Sequence, residues 1–414
     1  LGLRVLSSRR RVGLSTTSIS VNELKDIVKR YLKCRIEGDA CGSNLMFIGP
    51  PGIGKSESVI EAAKEVAEEL GLDFWEYENY SEPPSGYDKT FTFVIFRLDM
   101  VKPEDLTGFP LPDKESKTFE YAIPRWVEAL RKSKAGLVLL DEFTNVTDDI
   151  ILSAAYDIVL NEKVNLYKFK KPVIALGNPP EYSSLARPLP LPLLNRLALF
   201  NVKEPKVEEW CDYMNEKYEG KWLTEVCAFL HGRPDLLLKP PEDVEDLSPF
   251  PAPRSWTALA LALKNVYYDL WEKVKKKEKK VLNKLITIAS AYVGKEAASH
   301  FGSWAYIEAP SIEEVLKNPQ ILLAMDRGEA YSPEALIYVL AQLAHLNGEK
   351  WEEKVGEVAA FLLKNGAYRP AAMLLRLISD SKRRSKVFNY LRKKYPMELM
   401  KLKKSVGGGK LFGL

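Results

Sequence analysis

The residues best suited to do chemistry in this chain are eight in a row: Gly49-Pro50-Pro51-Gly52-Ile53-Gly54-Lys55-Ser56. They fit the pattern G-x-x-x-x-G-K-[ST]. Glycines at these places let backbone N–H groups converge on phosphate oxygens without Cβ clashes. Lys55 has the length and charge to reach the β- and γ-phosphates, and the Ser56 hydroxyl can ligate Mg²⁺. A chance glycine loop is the competing reading, but the context argues against it. An apolar strand, Asn44 to Ile48, runs into the loop, and a helix from Glu57 to Leu70 leaves it. The positive end of that helix adds to the attraction for an anion. The pattern implies a nucleoside triphosphate with Mg²⁺.

Two further strand ends carry suitable groups. Gly136 to Leu140 is apolar and runs into Asp141-Glu142. Two carboxylates at the carboxyl edge of a sheet, about 85 residues after a phosphate loop, suit a metal ligand (Asp141) and a base that polarises water (Glu142). Their pairing points to hydrolysis of the triphosphate rather than to binding alone. Val173 to Gly177 is another apolar strand, and Asn178-Pro179-Pro180 follows it. The Asn178 amide can donate and accept at once, which suits it to orient water or touch the γ-phosphate; on its own it would read as an Asn-Pro turn.

Positioning these groups requires strands that alternate with helices. Helical spacing covers 22–35, with Leu24, Ile27, Val28, Tyr31 and Leu32 on one side. Phe91 to Leu98 reads as another strand, Gly108 to Tyr121 as a loop or hairpin, and 124–132 and 148–160 as helices. Val164 to Lys171 suggests a second hairpin. The fold class is therefore α/β, a parallel sheet between helices. Past residue 203 the strands stop, and helices are expected over 207–230, 256–268, 281–293, 332–346, 351–363 and 370–378.

With these three elements in order, the chain resembles the AAA+ ATPases, and more closely their MoxR branch, over roughly residues 21 to 310. Asp105-Leu-Thr-Gly108 resembles the D-L-x-G segment ahead of that family's helix-2 hairpin. Asn178-Pro179 resembles its sensor-1 pair. Leu189 to Leu197 resembles its L-P-x-x-x-L-D-R-F, with Asn195 and Leu197 departing from the usual Asp and Phe. That resemblance implies Arg196 as an arginine finger, with Arg187 as runner-up. Pro253-Arg254-Ser255 is similar to the S-P-R-A sensor-2 motif and implies Arg254 as a lid-borne phosphate sensor. It also implies a homo-oligomeric ring, usually a hexamer, that remodels a protein client, often beside a partner with a von Willebrand A domain. The implied domains are a basic arm over 1–20, an α/β nucleotide-binding domain over 21–202, a helical lid over 203–310, and a helical extension with a basic tail over 311–414.

Composition bounds the rest. At 46% apolar and 28% charged residues the chain has ample core-forming material, which excludes wholesale disorder. No stretch is long and apolar enough for a membrane span. The net charge of +4 is unevenly placed. From Lys382 onward stand eleven basic residues against the single acid Glu398, a local charge of +10, so the remainder carries −6. Such a tail can bind nucleic acid, and a nucleic-acid motor or loader is the alternative function; a solvated helix face or subunit contact is the plainer reading. The lysines of 273–280 favour a solvated face. The acid-free start, with Arg4, Arg9, Arg10 and Arg11, reads as a flexible basic arm rather than an organellar transit peptide. The cysteines Cys34, Cys41, Cys211 and Cys227 show no C-x-x-C pair and are expected as reduced thiols of a cytoplasmic protein. The histidines His231, His300 and His345 lack metal-ligand spacing and are expected to be structural.

Overall fold

A computed structural model describes residues 18–38, 40–78, 81–115, 117–182, 189–241, 248–346, 348–378 and 381–405. The basic arm before residue 18, Arg187 and the tail beyond 405 lie outside the described residues. The chain divides into two compact units, Leu1–Glu204 and Pro205–Leu414.

The first unit is built on a seven-stranded sheet. In spatial order its strands are β1 (Ser18–Ile19), β11 (Ala198–Val202), β2 (Leu45–Ile48), β10 (Val173–Gly177), β7 (Ala135–Asp141), β4 (Thr90–Arg97) and β3 (Asp73–Glu76). Every pairing is parallel. All four residues of β2 and all five of β10 are buried, as strands covered on both faces require. Helices α1 (Val21–Glu37), α2 (Lys55–Glu69), α3 (Pro103–Thr107), α4 (Arg125–Lys132), α5 (Asp149–Asn161) and α6 (Leu191–Leu194) complete the unit. Ser20 starts α1 by a capping box with Glu23, and Leu24, Val28, Tyr31 and Leu32 fall on its buried side. One core joins Met46, Ile48, Val138 and Leu140 of the sheet to Trp126, Leu130 and Ile158 of the helices. Both expected hairpins are present: β5 (Phe109–Asp113) with β6 (Thr118–Ala122), and β8 (Lys163–Val164) with β9 (Tyr167–Lys168). Strand β3 went unassigned from sequence because it is a short edge strand without a buried run.

The second unit is helical: α7 (Val207–Tyr218), α8 (Glu225–Gly232), α9 (Pro253–Asn265), α10 (Tyr268–Lys275), α11 (Lys279–Val293), α12 (Lys295–Ala305), α13 (Ile312–Lys317), α14 (Gln320–Asp326), α15 (Pro333–Ala344), α16 (Trp351–Lys364), α17 (Tyr368–Leu377), α18 (Ser381–Lys394) and α19 (Pro396–Ser405). A single core runs from Val207 to Leu402, with the rings of Trp222, Trp256, Trp271, Phe229 and Phe301 at its centre. The helix expected over 207–230 is two helices. Gly220, at φ 72°, takes the left-handed turn that separates them. Among the described residues no helix is long and apolar enough to cross a membrane.

The cysteines correct one expectation. Cys34 is disulfide-bonded to Cys41, and Cys211 to Cys227, each pair with Cα atoms 5.9 Å apart. The four residues are not reduced thiols, and the argument from them to a cytoplasmic protein falls away.

Candidate functional site

Parallel pairing brings three strand ends together. β10 lies between β2 and β7, with Gly177 opposite Ile48 and Ala175 opposite Leu140. The glycine loop leaves β2, Asn178 follows β10, and Asp141 closes β7, so all three reach the carboxyl edge of adjacent strands. Ligands of open α/β sheets bind at that edge.

The loop needs its glycines. Gly52 and Gly54 sit at φ 73° and 99°, in the left-handed region that favours glycine. A Cβ on Gly49 would come within 2.6 Å of the Val202 carbonyl oxygen. Helix α2 starts at Lys55 behind Gly54, which offers no side-chain cap. The first N–H groups of that helix therefore face the loop with the positive end of the dipole behind them, an arrangement suited to an anion.

The polar side chains form one connected chain. Lys55, 7% exposed, donates from Nζ to the carbonyls of Gly49 (2.6 Å) and Pro50 (2.7 Å) and to Asn178 Oδ1 (3.0 Å). Asn178 Nδ2 donates to Glu142 Oε2 at 2.8 Å. The Glu142 N–H donates to Asp141 Oδ1 at 2.9 Å, and Ser56 Oγ donates to Asp141 Oδ2 at 2.7 Å. Five residues predicted from three separate sequence segments thus meet in a single network. The hard oxygens of Ser56 and Asp141 are the donor types Mg²⁺ takes, one hydroxyl and one carboxylate with room for water and phosphate.

Glu142 is the unusual member. Its backbone lies at φ 56°, ψ 32°, left-handed for a residue with a side chain, a strain that clusters at functional sites. Burial, and then the neighbouring Asp141 carboxylate, push its pKa up from the ordinary glutamate value. A carboxylate made more basic in this way is a better proton acceptor near neutral pH.

Two residues escaped the sequence reading. Asn145 Nδ2 donates to Glu142 Oε2 at 2.6 Å. Thr144 clamps Asn178 from both sides: its hydroxyl donates to the Asn178 carbonyl (2.9 Å) and accepts from the Asn178 N–H (2.8 Å). The available signal was a Thr-Asn pair one residue beyond the two carboxylates.

Arg196 is exposed in the turn between α6 and β11. Arg254 is exposed at the second position of α9, in the second unit, after Pro253. Arg187 is outside the described residues.

No protein-family model matches the chain, and no curated protein matches it. Solved structures do. NtrX from Brucella abortus is 12% identical at a TM-score of 0.34, over 70% of this chain and 68% of that one. The ADP form of the ORC2 protein from Aeropyrum pernix is 14% identical at a TM-score of 0.34, over 84% and 87%. A RuvB mutant from Thermotoga maritima is 13% identical at a TM-score of 0.30, over 80% and 91%.

Proposed function

We propose that the chain is an AAA+ ATPase of the MoxR-like branch that hydrolyses ATP with Mg²⁺ and works as a homo-oligomeric ring, a hexamer, to remodel a protein client. The observation that carries the reading is the meeting of two hydrogen-bonded sets, Ser56–Asp141 and Lys55–Asn178–Glu142, through the adjacent residues Asp141 and Glu142 at the mouth of β2. In this reading Gly52, Ile53 and Gly54 supply N–H groups to the phosphates. Lys55 exchanges its two carbonyl partners for phosphate oxygens. Ser56 and Asp141 hold Mg²⁺, which supplies charge neutralisation on the β- and γ-phosphates. Glu142 takes a proton from the attacking water as a new O–P bond forms and the bond from phosphorus to the departing ADP oxygen breaks. Asn178 holds Glu142 and that water in line.

Arg196, which is exposed, would act in the neighbouring protomer's site, which would make a ring necessary. Arg254 would sense phosphate from a lid spanning 203–310, and 311–414 would be an extension to it. The client would sit beside a partner with a von Willebrand A domain.

The test is ATP turnover by the full chain with Mg²⁺, read beside particle size. Lys55→Ala should lose nucleotide binding, and Glu142→Gln should keep binding and stop turnover. Turnover that survives Glu142→Gln refutes the reading. The alternative, a nucleic-acid motor, rests on the exposed Lys382, Lys386, Arg392, Lys393 and Lys401. It has lost charges to structural duty: Arg383 covers the Trp351 ring and donates to the Leu346 carbonyl, and Lys394 pairs with Glu357. Salt-sensitive stimulation by DNA or RNA would favour it.

A further inference from the structure

Helices α7 and α8 bring together three residues outside the nucleotide site. Cys227 and His231 stand four apart on α8 and so share one of its faces. Cys211 faces them from α7. Both sulfurs and one ring nitrogen of His231 lie within 4.8 Å of one another. The His231 side chain is only 6% exposed, and its Nδ1 lies 3.7 Å from Glu208 Oε1. Its Nε2 is buried without a hydrogen-bond partner. A buried imidazole nitrogen with no partner costs free energy and calls for a reason.

We propose that Cys211, Cys227 and His231 form a binding site for a thiophilic divalent cation of the zinc class, which the chain takes up when the Cys211–Cys227 disulfide is reduced. Two thiolates and an imidazole make a soft-to-borderline donor set, which favours zinc over the Mg²⁺ used by the oxygen donors of the nucleotide site. Glu208 stands on the outer side: its Oε1, 3.7 Å from Nδ1, attracts that edge of the ring without a hydrogen bond and leaves Nε2 for the metal. Three protein ligands leave one position of a tetrahedron for water. Two sulfurs on one zinc sit about 3.8 Å apart; with the Cα atoms 5.9 Å apart, rotation about χ1 of either cysteine opens that gap.

The chemistry balances. A dithiol reductant cleaves the S–S bond by two thiol–disulfide exchanges and leaves as its own disulfide, giving two cysteine thiols. Metal binding then releases both thiol protons to solvent. In either state α7 is fastened to α8, by a covalent bond or through the metal.

The test reduces the full chain with a dithiol, desalts it without oxygen, equilibrates it with Zn²⁺, desalts again and measures bound zinc. Reduced chain should retain about one zinc, and untreated chain none. His231→Gln keeps both cysteines and should weaken zinc binding about 10- to 100-fold or more. Cobalt(II) should give the visible bands of tetrahedral thiolate coordination in the wild type. Because cysteine variants can fail to fold, alkylation of the unmutated reduced chain gives a second measurement. Zinc should slow modification of Cys211 and Cys227 and leave Cys34 and Cys41 unaffected. No zinc retained after reduction, equal retention by His231→Gln, or protection confined to Cys34 and Cys41 would each overturn the proposal.

Discussion

Asn178→Ala tests the centre of the proposed mechanism, because that one amide joins the cation of the loop, Lys55, to the carboxylate that follows β7, Glu142. The substitution deletes an acceptor of Lys55 at 3.0 Å and a donor to Glu142 at 2.8 Å. A hydrogen bond to a charged group is worth about 1.5–3 kcal/mol, so two lost bonds set an upper bound of about 3–6 kcal/mol. Two features lower the cost. Water can enter at the open edge of the sheet, and Lys55 and Glu142 keep other partners, including Asn145 at 2.6 Å. A loss of about 2–3 kcal/mol in stability is expected, and the unit should stay folded. The effect on turnover should be separable. Glu142 would lose one of the two amides that aim it, and loss of a positioned hydrogen bond costs about 100-fold in rate. Nucleotide affinity should change by less than about tenfold, since the loop amides and Lys55 remain. The assay is steady-state ATP hydrolysis beside equilibrium binding of a fluorescent ATP analogue, with a thermal melt as the folding control. Turnover within about threefold of wild type, in folded protein that binds nucleotide, would refute the assignment. So would loss of binding as complete as in Lys55→Ala.

Three other outcomes are expected. Gly49→Ala drives a Cβ to 2.6 Å from the Val202 carbonyl oxygen, so β11 must shift; the melting temperature should fall with a loss of about 1–3 kcal/mol, and nucleotide affinity with it. Arg196→Ala should slow hydrolysis, and mixing it with Glu142→Gln subunits should restore part of the rate; strict additivity of the two inactive preparations would deny a finger acting between protomers. Burial opposes ionisation of Glu357, but hydrogen bonds from Lys394, Tyr390 and Tyr395 outweigh it and draw its pKa down to about 2. A depressed carboxyl stabilises the fold above its unfolded value and loses that contribution as pH falls towards 2. Glu357→Gln should therefore cost about 1 kcal/mol near neutrality, the pair being half exposed, and the melts of the two proteins should converge in acid.

The catalytic candidates were legible because each is written locally. A glycine loop, a pair of carboxylates and an asparagine each follow a short apolar run, and an apolar run that ends in polar residues is a strand reaching the edge of its sheet. Their adjacency was not legible. The register that sets Gly177 against Ile48 is a long-range pairing, and no local pattern states it. Thr144 shows the same limit: it matters only because β10 lies beside β7, which lets its hydroxyl hold the backbone of Asn178.

In the helical half the misread boundary and the misread Cys211–Cys227 pair belong together. A continuous helix over 207–230 would rise about 1.5 Å per residue and hold Cys211 and Cys227 about 24 Å apart, too far for a disulfide or a shared ligand. On that premise Cys211 and Cys227 could not pair. The premise fails at Gly220, whose left-handed turn folds α8 back along α7 and brings the two Cα atoms to 5.9 Å. Apolar periodicity continues on both sides of the break, so the period alone could not reveal it; the glycine could, had it been weighed as a helix stop followed by a new start near Thr224. The sulfur chemistry of this region is thus a consequence of one backbone conformation.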